Sequence, residues 1–220
     1  MTLPIFLFPQ NQLVLASNNA GKLAELRHMF AQAGLDIEVI AQADLGIDDA
    51  IEDSKSFIEN ALIKARHASA ISGLPALADD SGLCVDVLGG SPGIYSARFA
   101  ADTPTFQQAS ARADKDHANN QKLLAQLAPY RDNPPICAQF VCVLALVRHA
   151  DDPLPIIAQG LWQGQILPTP QGEHGFGYDP LFWSPEHAKS AAELGSAVKN
   201  RVSHRAQALQ QLLSQLKNDA

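Results

Sequence analysis

The chain has 220 residues, 46% of them hydrophobic and 18% charged, with a formal net charge of −7. That is enough chain for one sizeable core, as one domain or as two lobes of one fold. The negative balance excludes a binder of nucleic-acid backbone, which needs a broad basic surface, but not a small anionic substrate met locally by a few lysines and arginines and a metal. Aromatic residues make up only 6% of the chain, so Leu, Ala, Ile and Val must build most of the core. The three cysteines, Cys84, Cys137 and Cys142, form no CxxC or His/Cys metal spacing. They read as free thiols in a reducing compartment. The apolar start, Met1 to Pro9, has no basic n-region and no small-residue cleavage site. It does not read as a signal peptide, and no run approaches the length of a membrane span. The expectation is a soluble, cytoplasmic protein with no membrane partner.

In chain order, Leu13-Val14-Leu15-Ala16 is a short strand, followed by the polar stretch Ser17-Asn18-Asn19-Ala20-Gly21-Lys22. Leu23, Leu26, Met29 and Phe30 then recur at helical spacing. A turn at a helix N-terminus points unpaired N–H groups outward, and the helix dipole favours an anion there. Small side chains at Ser17, Ala20 and Gly21 would let a phosphate approach, with Asn18, Asn19 and Lys22 as donors. The alternative is an ordinary βα loop with a Ser or Asn cap. Ile37 to Ile40 reads as a second strand and gives a βαβ beginning. The acidic stretch after it, with Asp44, Asp48, Asp49, Glu52 and Asp53, is a solvated loop or the source of one metal ligand.

Ser56 to Ile71 is an amphipathic helix with Phe57, Ile58, Ala61, Leu62, Ala65 and Ala68 on its apolar stripe. Ser56, Asn60 and Lys64 lie four apart on another face. Gly73 ends the helix and Pro75 prevents its continuation. Ala78-Asp79-Asp80-Ser81-Gly82-Leu83 comes next, between the apolar stretches 74–78 and 83–88. Two acids between two core strands call for something cationic, usually a metal, to hold them.

Gly89 to Gly93 is a turn cluster. Arg98 is a phosphate or carboxylate clamp or a simple ion pair; the sequence does not choose. Thr103 to Tyr130 reads as helix, with Phe106, Ala109, Ala113, Leu123, Leu124 and Leu127 buried, Asp114 to His117 exposed, and a break at Asn119-Asn120. Ile136 to Val147 is a long buried strand and Ile156 to Ile166 its partner across a hairpin. In Gln171 to Pro180, three glycines surround His174, Phe176 and Tyr178. This is either a flexible turn or a base-recognition loop with two π-faces for a purine. Ala191 to Leu194 reads as a short helix. Ser203 caps the last helix, whose stripe is Leu209, Leu212, Leu213 and Leu216. Lys199, His204 and Arg205 would gather near its N-terminus, as an anion site or as a basic loop.

Taken together, Ser17–Lys22, Ser56–Ala61, Ala78–Leu83, Gly90–Arg98, Gly175–Pro180 and Ser203–Arg205 resemble the motifs of the inosine triphosphate pyrophosphatase family, most closely its bacterial dITP/XTP branch. They fall in family order from about Leu13 to Leu216. Ser17 stands where threonine is common, and Glu173-His174 where glycine-rich residues are; neither breaks a motif.

The resemblance implies an α/β fold, an elongated mixed β-sheet flanked by helices, in two lobes with an active-site cleft between them. It implies one domain over residues 1–220, with an N-terminal extension of about residues 1–11. The reaction implied is Mg²⁺-dependent hydrolysis of a purine nucleoside triphosphate (ITP, dITP or XTP) to the monophosphate and pyrophosphate. The enzyme would be a homodimer that cleans the nucleotide pool. By the same resemblance, Asp80 is the general base and a Mg²⁺ ligand, and Glu52 is the second ligand. Ser17, Asn18, Asn19, Ala20, Gly21 and Lys22 hold the triphosphate, Lys64 faces the phosphates, and Ser81 touches substrate. Phe176, Gly177, Tyr178 and Asp179 hold the base, and Lys199, His204 and Arg205 complete the base and phosphate contacts. Two other readings stand beside this one: a Maf-like pyrophosphatase of pyrimidine or modified nucleotides, and a nucleotide-binding regulator without chemistry.

Overall fold

A computed structural model describes residues 8, 11–18 and 20–218. Most of the expected N-terminal extension and Asn19 lie outside these residues. The described strands form one seven-stranded sheet in the order β2-β1-β3-β4-β5-β6-β7, with helices flanking it. The sheet is mixed, as expected. β1 (Gln12–Leu15) is parallel to β2 (Glu38–Ala41) and to β3 (Ala76–Val85). β6 (Phe182–Ser184) is antiparallel to β5 (Ile156–Ile166) and to β7 (Lys189–Ser190). β4 is Cys137–Val147.

The chain divides into two compact units, residues 1–80, 142–160 and 207–220, and residues 81–141 and 161–206. The first unit opens with the βαβ arrangement that the apolar spacing predicts: β1, α1 (Ala20–Gln32), β2. α1 begins at Ala20, so Gly21 and Lys22 belong to its first turn rather than to the loop. α2 (Phe57–Ser72) starts at Ser56, whose Oγ accepts from the Glu59 N–H at 3.3 Å and donates to the Glu59 carboxylate at 2.7 Å. The first bond satisfies one of the N–H groups that a helix start leaves open, and the second holds the capping hydroxyl in place. Gly73 closes the helix at φ +70°, a conformation that costs glycine little. Ala61, Ala65 and Ala68 are fully buried, but Ile58, expected on the apolar stripe, is exposed. Leu13, Leu15, Leu26, Phe30, Leu77, Leu144 and Leu212 form the core of this unit.

The second unit has its own core around Leu83, Leu123, Leu127, Phe140, Trp162 and Phe182. Phe140 and Phe182 pack with ring centroids 4.5 Å apart, and Trp162 and Phe182 at 4.9 Å. The expected helix 103–130 is two helices. α3 (Pro104–Gln108) is capped by the Thr103 hydroxyl, and α4 runs Arg112–Leu127. The break falls at residues 109–111, not at Asn119-Asn120, and Ala113 is exposed. Asn119 stays inside α4 because it has partners across the unit: its Oδ1 accepts from the Ala100 N–H at 2.8 Å. Residues 191–194 are turn rather than helix; the helix comes just after, as α5 (Ser196–Val202). α6 (His204–Asn218) begins at Ser203, whose Oγ accepts from the Ala206 N–H at 3.2 Å. The three cysteines are free thiols. Among the described residues no helix is long and apolar enough to cross a membrane.

Candidate active site

The two adjacent acids do not sit between strands. They lie inside β3, and both are buried. Successive side chains of a strand point to opposite faces, so Asp79 and Asp80 part company. Asp79 takes Lys22 of α1, with Nζ 2.8 Å from Oδ1 and 2.6 Å from Oδ2. Asp80 faces α2, where Asn60 and Lys64 stand one turn apart. Asn60 Nδ2 donates to Oδ2 at 3.3 Å and Lys64 Nζ to Oδ1 at 3.2 Å. Each carboxylate of the pair thus has its own lysine, on its own helix.

Lys64 also reaches Glu52 of the acidic stretch, at 3.3 Å. One ammonium therefore joins Glu52 and Asp80. Burial pushes the Asp80 carboxyl above the ordinary carboxylate value, the Lys64 charge pulls it back, and the Glu52 charge pushes it up again, with a net rise. Burial works against the charged form of Lys64, but Asp80, Asp79 and Glu52 together outweigh it and raise its pKa. Asn18 is exposed and donates to Asp49 at 2.9 Å, which ties the first loop to the acidic stretch. Ser17 is half-buried, and so is Ser81, which follows Asp80 in β3.

Among the described residues no three His, Cys, Asp or Glu side chains gather as a metal cage. Glu52 and Asp80 are nonetheless two hard oxygen donors close enough to share one cation, Lys64. A small hard divalent ion fits such a pair, because it commonly binds through one or two carboxylates with phosphate oxygens and waters completing its shell.

The glycine-rich stretch 171–180 is a hydrogen-bonded loop of the second unit. Asp179 Oδ2 accepts from the Phe176 N–H at 3.0 Å and pairs with Lys199 Nζ at 2.6 Å. Gly175, at φ +87°, is required there, since a Cβ would lie 2.2 Å from Asp179 Oδ2. Tyr178 is buried in the core of its unit, and its hydroxyl donates to the Ser96 carbonyl at 2.9 Å. That burial holds the phenol well above its ordinary pKa. Phe176 is therefore the exposed aromatic of the loop, at 49%. The guanidinium of Arg112 stands 5.1 Å from its ring centre and that of Arg205 5.8 Å. His204 stacks on Phe140 at 4.8 Å. Arg98 lies over the Tyr95 ring, 5.3 Å from its centre.

Of the residues singled out from sequence, Glu52, Asp80 and Lys64 come together in one unit. Phe176 and Arg205 come together in the other, as do Asp179 and Lys199. Lys22 is drawn to Asp79. Asn60, on the helix face that the sequence gives to Lys64, joins Asp80, and Asp49 of the acidic stretch takes Asn18. Arg112, Asp116 and Asn120 were not singled out for a site; their readable signal is a spacing of four on one helix.

The mixed sheet, the paired carboxylates and the lysines define an α/β protein with an acid–lysine centre in its first unit. The chain belongs to the Ham1 family, which it matches over residues 13–215. It is 60% identical over 204 residues to a protein of Acinetobacter baumannii named dITP/XTP pyrophosphatase, covering 92% of this chain and 93% of that one. It is 54% identical over 206 residues to a protein of that name from Ralstonia nicotianae, covering 94% and 96%. The solved structure of a HAM1 protein from Coxiella burnetii superposes with a TM-score of 0.85 at 43% identity, covering 94% of this chain and 98% of that one.

Proposed function

We propose that this protein hydrolyses non-standard purine nucleoside triphosphates (ITP, dITP and XTP) to the nucleoside monophosphate and pyrophosphate. The observation that carries the reading is the Glu52–Lys64–Asp80 cluster, in a chain whose relatives are named for that activity. Glu52 and Asp80 would hold Mg²⁺, which when bound neutralises phosphate charge. Asp80 orients a water for in-line attack at the α-phosphorus and takes its proton. A bond from the water oxygen to the α-phosphorus forms, the α–β bridging bond breaks, and pyrophosphate leaves with the bridging oxygen. Lys22 and Lys64 meet the charge on the leaving group. Ser17 to Lys22, at the start of α1, bind the triphosphate, and Ser81 contacts it.

In the second unit, Phe176 stacks on the base, and Gly177, Tyr178 and Asp179 set the loop. The Phe176 and Gly177 N–H groups are already taken, by Asp179 and Asp116. Donors to the 6-oxo group then come from His204 and Arg205, with Lys199 beside Asp179. Adenine presents a 6-amino group there and would leave such donors unpaired, at about 1–3 kcal/mol each. The chain works as one catalytic domain without nucleic-acid partners, which the unbroken family match and the charge of −7 support, and as a cytoplasmic homodimer without membrane partners.

A panel of nucleoside triphosphates assayed for pyrophosphate release, with and without Mg²⁺, tests the reading. ITP, dITP and XTP should lead, and only with the metal. Preference for UTP or dTTP would instead place the protein with the Maf-like enzymes, and binding without turnover would make it a regulator.

A further inference from the structure

Helix α4 holds one residue of the glycine-rich loop by both of its backbone groups. Asp116 Oδ2 accepts from the Gly177 N–H at 2.9 Å. Asn120 Nδ2 donates to the Gly177 carbonyl at 2.9 Å. The two side chains are one helical turn apart, so they present donor and acceptor side by side. We propose that Asp116 and Asn120 are positioning residues that fix the attitude of the Phe176 ring and thereby set selectivity among purine triphosphates. The inference rests on the functional reading above.

The N–H of Gly177 belongs to the peptide that joins it to Phe176, and its carbonyl to the peptide that joins it to Tyr178. Fixing both fixes the two peptide planes on either side of the residue. This matters most at a glycine. Gly177 sits at φ +62° and, without a Cβ, would explore more backbone conformations than any other residue. Phe176, one residue before, has a half-exposed ring flanked by the guanidiniums of Arg112 and Arg205. The same face of α4 supplies a third hold. Arg112 lies one turn before Asp116, with Nε 4.0 Å from its carboxylate and its guanidinium 5.1 Å from the Phe176 ring centre. Residues 112, 116 and 120 thus grip ring, N–H and carbonyl in a row.

Asn120 is a poor choice for stability alone. It is buried, and its Oδ1 has no hydrogen-bond partner among the described residues. A leucine would fill that space without the unpaired oxygen. Local rules are broken in this way where a side chain serves something other than the fold. What Asn120 serves is the Gly177 carbonyl. A purine stacked on a ring of fixed attitude brings its 6- and 2-substituents to fixed places, which is what separates one purine from another. A ring free to tilt would still bind purines but would discriminate less.

The test compares Asn120→Leu, Asp116→Ala and Asp116→Asn with the wild type. Asp116→Asn keeps an oxygen that can accept from the Gly177 N–H, so it should behave within about threefold of wild type. The other two should raise KM for ITP and XTP roughly tenfold, change kcat less than about threefold, and lower the ITP-to-ATP ratio of kcat/KM roughly tenfold. Hydrogen exchange at Gly177 should speed up in both by about tenfold or more, with exchange in the β4 core unchanged. Unchanged KM, ratio and Gly177 exchange in both variants overturn the inference. So does an Asp116→Asn enzyme as impaired as Asp116→Ala. Wild-type enzyme that prefers ATP to ITP and XTP sinks the functional reading instead, and the exchange rates still judge the clamp.

Discussion

Lys64 Nζ stands 3.2 Å from Asp80 Oδ1 and, on its other side, 3.3 Å from Glu52. The ammonium occupies the position between two carboxylates that a divalent cation would take in the proposed mechanism. Lysine and metal therefore compete for the same oxygens. Lys64→Met should raise the affinity for Mg²⁺ in the absence of nucleotide, read by titration calorimetry. It should also lower kcat by about 10²–10³-fold, the loss typical of one charge-stabilising donor. Equal metal affinity in variant and wild type would refute the competition, whatever happens to turnover.

Asp80→Asn should abolish turnover and yet stabilise the fold at neutral pH. The carboxyl is pushed up chiefly by burial, so ionising it works against folding. Its favourable contribution is complete below the ordinary aspartate value of about 4 and is lost as pH rises through the raised folded value. The amide resembles the protonated acid and escapes that loss. Melting curves at several pH values check this: the variant should melt higher at pH 7.5, and the gap should close toward pH 4. A variant that melts lower at pH 7.5 would show that Lys64 stabilises the charged form more than burial opposes it.

Much of this was legible in the sequence where the cause is local. Apolar runs announce β1, β4 and β5, and Gly73 marks the end of α2. What escaped depends on partners far along the chain. A strand could carry Asp79 and Asp80 through the core only because Lys22 and Lys64 arrive from two helices, one 57 and the other 16 residues away. Asn119 and Asn120 look like a helix break until Ala100 and Gly177 pair with them. Tyr178 looks like a second stacking surface until Ser96, 82 residues earlier, takes its hydroxyl into the core. The roles proposed for Glu52 and Asp80 rest on resemblance; spacing alone leaves the acidic stretch as a solvated loop or the source of one metal ligand.

Phe176 and Tyr178 should separate cleanly on mutation. Phe176→Ala removes an exposed ring, so the melting temperature should hold while KM for purine triphosphates rises. Stacking on a base is worth about 1–3 kcal/mol, or roughly five- to 150-fold. Tyr178→Phe keeps the packing and removes one hydrogen bond to the Ser96 carbonyl. It should cost about 1 kcal/mol of stability and change KM little. Steady-state kinetics on ITP beside thermal melts decide it; a Tyr178→Phe enzyme with the larger KM would mean that the phenol, not Phe176, meets the base.

The turn between β4 and β5 provides a prediction about acid. Asp152 is buried, and it accepts from the N–H groups of Arg148 and Leu154, both at 2.9 Å. The Arg148 guanidinium pairs with both its oxygens, with Nε 2.8 Å from Oδ2 and Nη2 against Oδ1. The Arg148 side chain, followed by the two N–H groups, holds this carboxyl well below the usual carboxylate range against the opposing effect of burial. A depressed folded value means stability that is present above about pH 4 and lost as pH falls toward that depressed value. Asp152→Asn keeps an acceptor for one N–H but loses the charge, and Arg148 is partly open to water, which weakens the pair. The variant should therefore lose about 1–3 kcal/mol at pH 7, with kcat unchanged at temperatures where it stays folded. Denaturant titrations of both proteins should converge as the pH is lowered toward 2. A gap that stays constant with pH would mean that the turn depends on the shape of Asp152 rather than on its charge.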